Sequence, residues 1–134
     1  MWSYKLFRIG ALISTLTGIA HLLGFLAGKN AEPVNGIEIQ LRELLTSYKT
    51  NMAGTMRTTG DILDGLHLTY AVFMLTLAAL GFVLPVQRKA AIVFAASFAV
   101  MVGISLCYWF AIPTVLLSAA CACYAGSAYL NVKK

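Results

Sequence analysis

Charged residues are scarce in this sequence. Asp, Glu, Lys and Arg together make up 11% of its 134 residues, against about 25% in soluble globular domains. A soluble domain of this size exposes much of its surface and needs polar side chains to cover it. The shortage therefore excludes an ordinary soluble protein and, with 60% apolar residues, a disordered chain. It also argues against nucleic-acid binding despite the net charge of +5, because a basic patch needs a solvated face.

Side chains that carry chemistry are equally few, with two histidines and three cysteines. Cys121 and Cys123 do not form the Cys-x-x-Cys pair of a redox enzyme. On a helix their thiols point about 200° apart, so they cannot bond to each other. A contact between Cys107 and Cys121 stays open, but small cysteines among other small residues are typical of packing. These counts favour a protein that is not an enzyme.

What the sequence does contain is long apolar runs. A membrane-spanning helix needs about 20 apolar residues, and four runs meet or approach that length: 6–27, 62–84, 90–110 and 114–130. They predict an all-α integral membrane four-helix bundle that forms one membrane domain over residues 1–134. The first run exceeds the apolar core of a signal peptide, so we expect it to be a helix of the mature protein.

The basic residues indicate an orientation. The ends of the chain and the second loop together carry six basic residues and no acidic one: Lys5, Arg8, Arg88, Lys89, Lys133 and Lys134. The opposite side mixes both signs: Lys29, Arg42, Lys49 and Arg57 with Glu32, Glu38, Glu43, Asp61 and Asp64. Lys and Arg in short loops favour the cytoplasmic side. The pattern predicts a multi-pass plasma-membrane protein with both termini in the cytoplasm.

The loops differ in length. Residues 85–89 and 111–113 predict tight turns between neighbouring antiparallel helices, whereas residues 28–60 form a long extracytoplasmic loop. Within it, an apolar stripe at helical spacing predicts a short amphipathic helix over about 37–52, starting near Asn35-Gly36. We expect it to lie at the membrane interface. Whether it covers the bundle, closes over a site or docks another protein is left open.

Small residues recur along three of the four predicted spans, where they let helix backbones approach each other in lipid. The ridges are Gly10, Ser14, Thr17, His21, Gly24 and Gly28 in the first span, Ala95, Ala99, Gly103 and Cys107 in the third, and Ser118, Ala122, Ala125 and Gly126 in the fourth. One bundle does not need so many small faces. The leading functional hypothesis is therefore an accessory or structural subunit that packs against a larger membrane assembly or against further copies of itself.

Polar residues inside a membrane are costly, so each is a functional candidate. The candidates collect at the loop ends of the first two spans: His21, Arg57, Asp61, Asp64 and His67. The purely structural interpretation has Thr58 or Thr59 capping the second span with Asp61 in its first turn. Asp64 then pairs with Arg57 or His21.

The functional alternatives are three. Asp64, His67 and His21 are candidate metal ligands, because a carboxylate and a histidine three apart on a helix serve that role in bundle proteins. His21 and His67 at equal depth are candidate axial ligands of a b-type haem. Finally, His21, Arg57, Asp64 and His67 form a candidate outer-leaflet site for a lipid or quinone headgroup or a proton. None of these patterns is strong enough to predict a bound cofactor.

Two short motifs resemble a group of small bacterial four-helix membrane proteins of unknown function. The first is Gly18-Ile19-Ala20-His21-Leu22, and the second combines Met56-Arg57, Asp61 and Gly65-Leu66 at the start of the second span. The resemblance implies a four-helix bundle with an extracytoplasmic first loop, in the inner membrane of a bacterium. It implies no activity.

Overall fold

The computed structural model describes residues 2–108 and 111–131. In chain order these form α1 (Trp2–Asn30), α2 (Gly36–Ser47), β1 (Lys49–Met52), β2 (Thr55–Thr58), α3 (Thr59–Val83), α4 (Arg88–Tyr108) and α5 (Ala111–Leu130). Four of these helices are long and apolar enough to cross a membrane: α1, α3, α4 and α5. The all-α class is thus confirmed, together with four helices that have the length and apolar character of membrane spans. Lys133 and Lys134, which entered the orientation count, and Trp109 and Phe110, which end the third predicted span, lie outside the described residues.

The turn predicted at residues 111–113 is wrong, because α5 begins at Ala111. Pro113 lies within the first turn of the helix. There a backbone N–H has no partner inside the helix, so its absence in proline costs nothing. The turn between α3 and α4 is found close to its predicted place. At its two ends, hydrogen bonds from Leu84 N to Leu80 O and from Ala91 N to Gln87 O continue the pattern of the adjoining helices.

The chain folds into two compact units, Met1–Ile19 with Phe73–Lys134, and Ala20–Val72. The core of the first unit surrounds the buried ring of Tyr124 in α5. Phe7 of α1 and Phe94 and Phe98 of α4 pack around this ring with centroids 4.9–5.2 Å away. The Tyr124 hydroxyl lies 3.3 Å from Ser14 Oγ, which gives the buried polar atom a partner.

Glycine permits close approach at two points in this unit. A Cβ on Gly10 would lie 2.9 Å from the Tyr124 ring, and one on Gly81 would lie 2.8 Å from Ala11 Cβ. The predicted small ridge of α1 is therefore buried where it meets this core, at Gly10, Ser14 and Thr17. Arg8 donates a 2.7 Å hydrogen bond to the carbonyl of Gly81. It thereby satisfies one of the last carbonyls of α3.

Helices α4 and α5 pack against each other, and hydrogen bonds join them at two points. Ser105 Oγ lies 2.7 Å from Thr114 Oγ1, and Cys121 Sγ donates to Ala95 O at 3.4 Å. All three cysteines are free thiols. Most residues of the small-residue ridges on these two helices are exposed and face away from the core: Ala99, Gly103, Cys107, Ser118, Ala122 and Ala125.

The second unit contains the loop end of α1, then α2, the hairpin and the first half of α3. Helix α2 begins as predicted, with the Asn35 side chain accepting from Glu38 N. Its apolar stripe is exposed at Ile37, Leu41 and Leu44, so nothing in the described part of the chain covers it. The predicted helix over about 37–52 is too long, because α2 ends at Ser47.

A β-hairpin replaces the last turn of that predicted helix. Strands β1 and β2 pair antiparallel from Lys49 with Thr58 to Met52 with Thr55. Ala53 and Gly54 between them have φ of 50° and 87°, the left-handed pair that a two-residue hairpin turn needs. The Asn51 side chain accepts from Gly54 N and stabilises the turn. The helical stripe had continued through Tyr48, the C-cap of α2, and Met52, the last residue of β1, because both match its spacing.

The tight contact at Gly81 generates a test. We expect Gly81→Val to lower the free energy of unfolding in detergent by about 1–3 kcal/mol, the usual cost of overpacking a core. Gly103→Val is the matched control, because a Cβ on Gly103 meets nothing within 4 Å. Thermal unfolding followed by circular dichroism compares the two variants. Equal losses of stability would contradict the packing described here.

Candidate polar site at the loop end of α1 and α3

The start of α3 is set by a reciprocal cap. Thr58 Oγ1 accepts a 3.0 Å hydrogen bond from Asp61 N, and Asp61 Oδ2 accepts one of 3.0 Å from Thr58 N. This is the capping box, in which two otherwise unpaired backbone donors are satisfied. The predicted capping by Thr58, with Asp61 in the first turn, is confirmed. Asp61 therefore has a structural partner and belongs to the cap.

The polar side chains beyond the cap align along two helices. His21, Phe25 and Lys29 recur every four residues on α1, so they share one face of the helix. Asp64, His67 and Tyr70 recur every three residues on α3 and share a face in the same way. Contacts between these two rows, given below, show that they meet. We call the resulting group the His-pair site, made of His21, Phe25, His67 and Tyr70 with the ion pair of Lys29 and Asp64.

The centre of the site is a direct contact between the two histidines. His67 Nδ1 lies 3.2 Å from His21 Nε2, which is a hydrogen-bonding distance. One ring donates and the other accepts, so at least one of these two nitrogens is unprotonated. The expectation that both histidines lie at the same level is met. His21 is half-buried and His67 is exposed.

Aromatic rings hold the pair in place. The Phe25 ring stacks on His67 with centroids 5.4 Å apart and planes at 23°. The Tyr70 ring meets His21 edge-on with centroids 4.6 Å apart. Each imidazole is thus packed by a neighbouring ring. This packing, in addition to the hydrogen bond between them, keeps the two nitrogens close to each other.

An ion pair lies one turn nearer the loop. Lys29 Nζ is 2.6 Å from Asp64 Oδ2, with both side chains partly exposed. The same ammonium group lies 5.8 Å from the centroid of the Phe25 ring. The structural interpretation of the sequence paired Asp64 with Arg57 or His21, whereas the ion pair found here joins Asp64 to Lys29. Lys29 reaches Asp64 because it stands two helical turns beyond His21 on the face that meets α3.

Arg57 does not join the site. It lies in β2, opposite Thr50, and it is exposed. Within residues 2–108 and 111–131 its side chain forms no hydrogen bond or ion pair. Of the five residues proposed from the sequence, His21 and His67 touch, Asp64 flanks them, Asp61 caps the helix and Arg57 belongs to the hairpin.

Three members of the site were not proposed from the sequence: Phe25, Lys29 and Tyr70. Lys29 had been counted for the orientation alone, and the two aromatic residues had not been singled out. The signal for Phe25 and Lys29 is the spacing of four that links them to His21, and the signal for Tyr70 is its spacing of three from His67. Both signals are detectable in the sequence once His21 is known to face α3.

This arrangement places exchangeable protons and nitrogen lone pairs beside an apolar surface. It can pass a proton between the rings, hydrogen-bond a carbonyl or phosphate group at the exposed edge of His67, or ligate a metal. In the described part of the chain no group of three or more His, Cys, Asp and Glu side chains is placed to hold a metal ion. Axial ligation of one haem by both histidines requires the rings to separate, because they now bond to each other directly.

Comparisons with known protein families, with curated proteins and with solved structures give no match to this chain.

The histidine contact can be measured directly. The chain has two histidines, so a sample labelled with ¹⁵N-histidine yields signals from two rings. We expect His21→Gln to shift the Nδ1 resonance of His67, since the variant removes the ring that it contacts. Asp64→Asn, which alters the neighbouring ion pair, serves as the control and should leave that resonance nearly in place. An unchanged His67 spectrum in His21→Gln would mean that the rings do not touch.

Proposed function

We propose that this chain is a small multi-pass membrane protein whose His-pair site binds a polar group at the outer leaflet. The observation that carries the proposal is the 3.2 Å contact between His67 Nδ1 and His21 Nε2. Two imidazoles facing each other in an apolar helix pair are expensive in a membrane, and such groups usually serve a function. His67 is exposed, so a ligand can reach its edge.

The proposed orientation puts the site on the outer side. Six basic residues gather at the termini and the second loop, which favours the cytoplasm for those parts. The His-pair site, the hairpin and α2 then face the other side of a bacterial plasma membrane. The exposed apolar stripe of α2, at Ile37, Leu41 and Leu44, rests on the outer leaflet in this arrangement, as an interfacial helix does.

The site can be probed without knowing its ligand. In lipid nanodiscs, the ¹⁵N signals of both histidines are followed while a short-chain quinone, an anionic phospholipid and Zn²⁺ are added in separate experiments. We expect at least one probe to shift the His67 resonances in a saturable way, because its ring edge is accessible. The shift should be abolished in His21→Gln if the pair acts as a unit.

Arg57→Gln is the control and should keep the shift, because it removes a charge from β2, outside the His-pair site, and leaves both rings in place. If none of the three probes shifts His67 at saturating concentration, the proposed binding role is wrong.

A second candidate function is that of an accessory subunit, which associates with further copies or with a larger membrane assembly. The observation that favours it is the exposure of Ala99, Gly103 and Cys107, spaced by four along α4. Small residues on the outside of a spanning helix give a second helix room to approach closely. Comparable exposure at Ser118, Ala122 and Ala125 extends the same property to α5.

Cys107 provides a native reporter for this association. We expect a mild oxidant added to membranes to join two chains through Cys107, yielding a dimer on a non-reducing gel. Gly103→Ile should reduce the yield because it fills the space that a partner helix needs. Val100→Ile is the matched control, since Val100 is also exposed but lies off the ridge. A dimer yield that is insensitive to Gly103→Ile, or that persists in Cys107→Ser, would rule out association through this ridge.

A further inference from the structure

We infer that His21 and His67 together bind one divalent transition-metal ion, with water in its remaining coordination positions. The inference rests on the proposed ligand site and names the class of ligand. Imidazole suits Zn²⁺, Cu²⁺ and Ni²⁺. The observations that carry it are the separation of the two nitrogens, the position of the rings on two packed helices and the accessibility of His67.

The separation of the nitrogens matches two neighbouring ligands of one metal. Imidazole nitrogens lie about 2.0–2.1 Å from Zn²⁺, so a tetrahedral site separates two of them by about 3.4 Å. A square-planar Cu²⁺ site with similar bond lengths separates neighbouring nitrogens by about 2.9 Å. The observed distance from His67 Nδ1 to His21 Nε2 is 3.2 Å, between the two values. A metal can therefore be bound with little change in the separation of the two nitrogens.

Binding exchanges a hydrogen bond for two metal–nitrogen bonds. Each ring must turn so that both lone pairs point to one ion, and the soft Cβ–Cγ torsion of histidine permits such a turn. The proton between the rings must leave its nitrogen, because a ligating nitrogen carries none. In a neutral pair this proton moves to the other nitrogen of the same ring, so that no charge changes.

The surroundings define the kind of site. Aromatic rings of Phe25 and Tyr70 pack against the two imidazoles and hold them ready before the ion arrives. Asp64 remains engaged by Lys29, and no third His, Cys, Asp or Glu of the described residues completes the set. Water must then fill at least two positions. The site is consequently open and exchangeable, unlike a closed structural zinc site with four protein ligands.

The test uses full-length protein purified without a polyhistidine tag, in the Cys107→Ser background to remove the exposed thiol. Zn²⁺ binding is measured by calorimetry, and Cu²⁺ is examined by electron paramagnetic resonance. We expect one ion per chain and coupling of Cu²⁺ to two nitrogens. His21→Gln and His67→Gln should each weaken binding by at least about tenfold, since even groups behind the ligands are worth about 10- to 100-fold in metal affinity.

Arg57→Gln is the control variant and should bind Zn²⁺ as tightly as the parent, because Arg57 lies in β2, outside the His-pair site. If a histidine variant fails to fold, the parent protein alone still decides the question, since bound Zn²⁺ must shift the ¹⁵N signals of both rings together. The inference is overturned if Zn²⁺ leaves both signals unchanged, or if binding survives in both histidine variants. If a quinone or phospholipid shifts the His67 resonances but Zn²⁺ does not, the proposed polar site stands and the metal inference is wrong. If none of these probes shifts the His67 resonances, both the polar site and the metal inference are wrong.

Discussion

A backbone in hydrocarbon has no water with which to form hydrogen bonds, and most features of this chain follow from that constraint. Every N–H and C=O must find a partner inside the protein, which in a chain of this length favours helices. Four of the helices are long and apolar enough to cross a membrane. The few polar side chains in them meet partners, as Ser14 meets Tyr124 and Ser105 meets Thr114. Short strands occur in the segment between α2 and α3, where the chain is polar.

Polar contacts in the two units have different character. In the first unit hydroxyl groups form hydrogen bonds with each other or with carbonyls within an aromatic core. Tyr124 is an example, because its hydroxyl contacts Ser14 while its ring is tightly packed. At the His-pair site of the second unit the groups are imidazole, ammonium and carboxylate, which exchange protons or bind ions. Such groups are not required to hold two helices together, because small and aromatic residues already do so elsewhere. Their presence is the physical reason for placing function at the His-pair site.

Some predictions from the sequence depended on local chemistry alone and were confirmed. Asn35 at the start of α2 and Thr58 with Asp61 at the start of α3 are caps, which depend on residues three or four apart. The end of α2 could not be obtained in this way. Tyr48 and Met52 continue the helical stripe, yet the left-handed turn at Ala53 and Gly54 and the pairing of the strands are worth more than another turn of exposed helix. The partner of Asp64 could not be predicted from local chemistry either, because the sequence offers several cationic side chains that could pair with it.

Composition and periodicity by themselves indicated a membrane environment, the number of long apolar helices and the region where polar groups gather. These properties depend on the sums of many residues, or on spacings within one helix. The tertiary structure alone decided which side chains meet: His21 with His67, Lys29 with Asp64, and Gly81 with Ala11. It also decided that Arg57 belongs to the hairpin and that Gly103 faces outward. Such pairings depend on the rotation of one helix relative to another, and that rotation is set by the packing of both faces together.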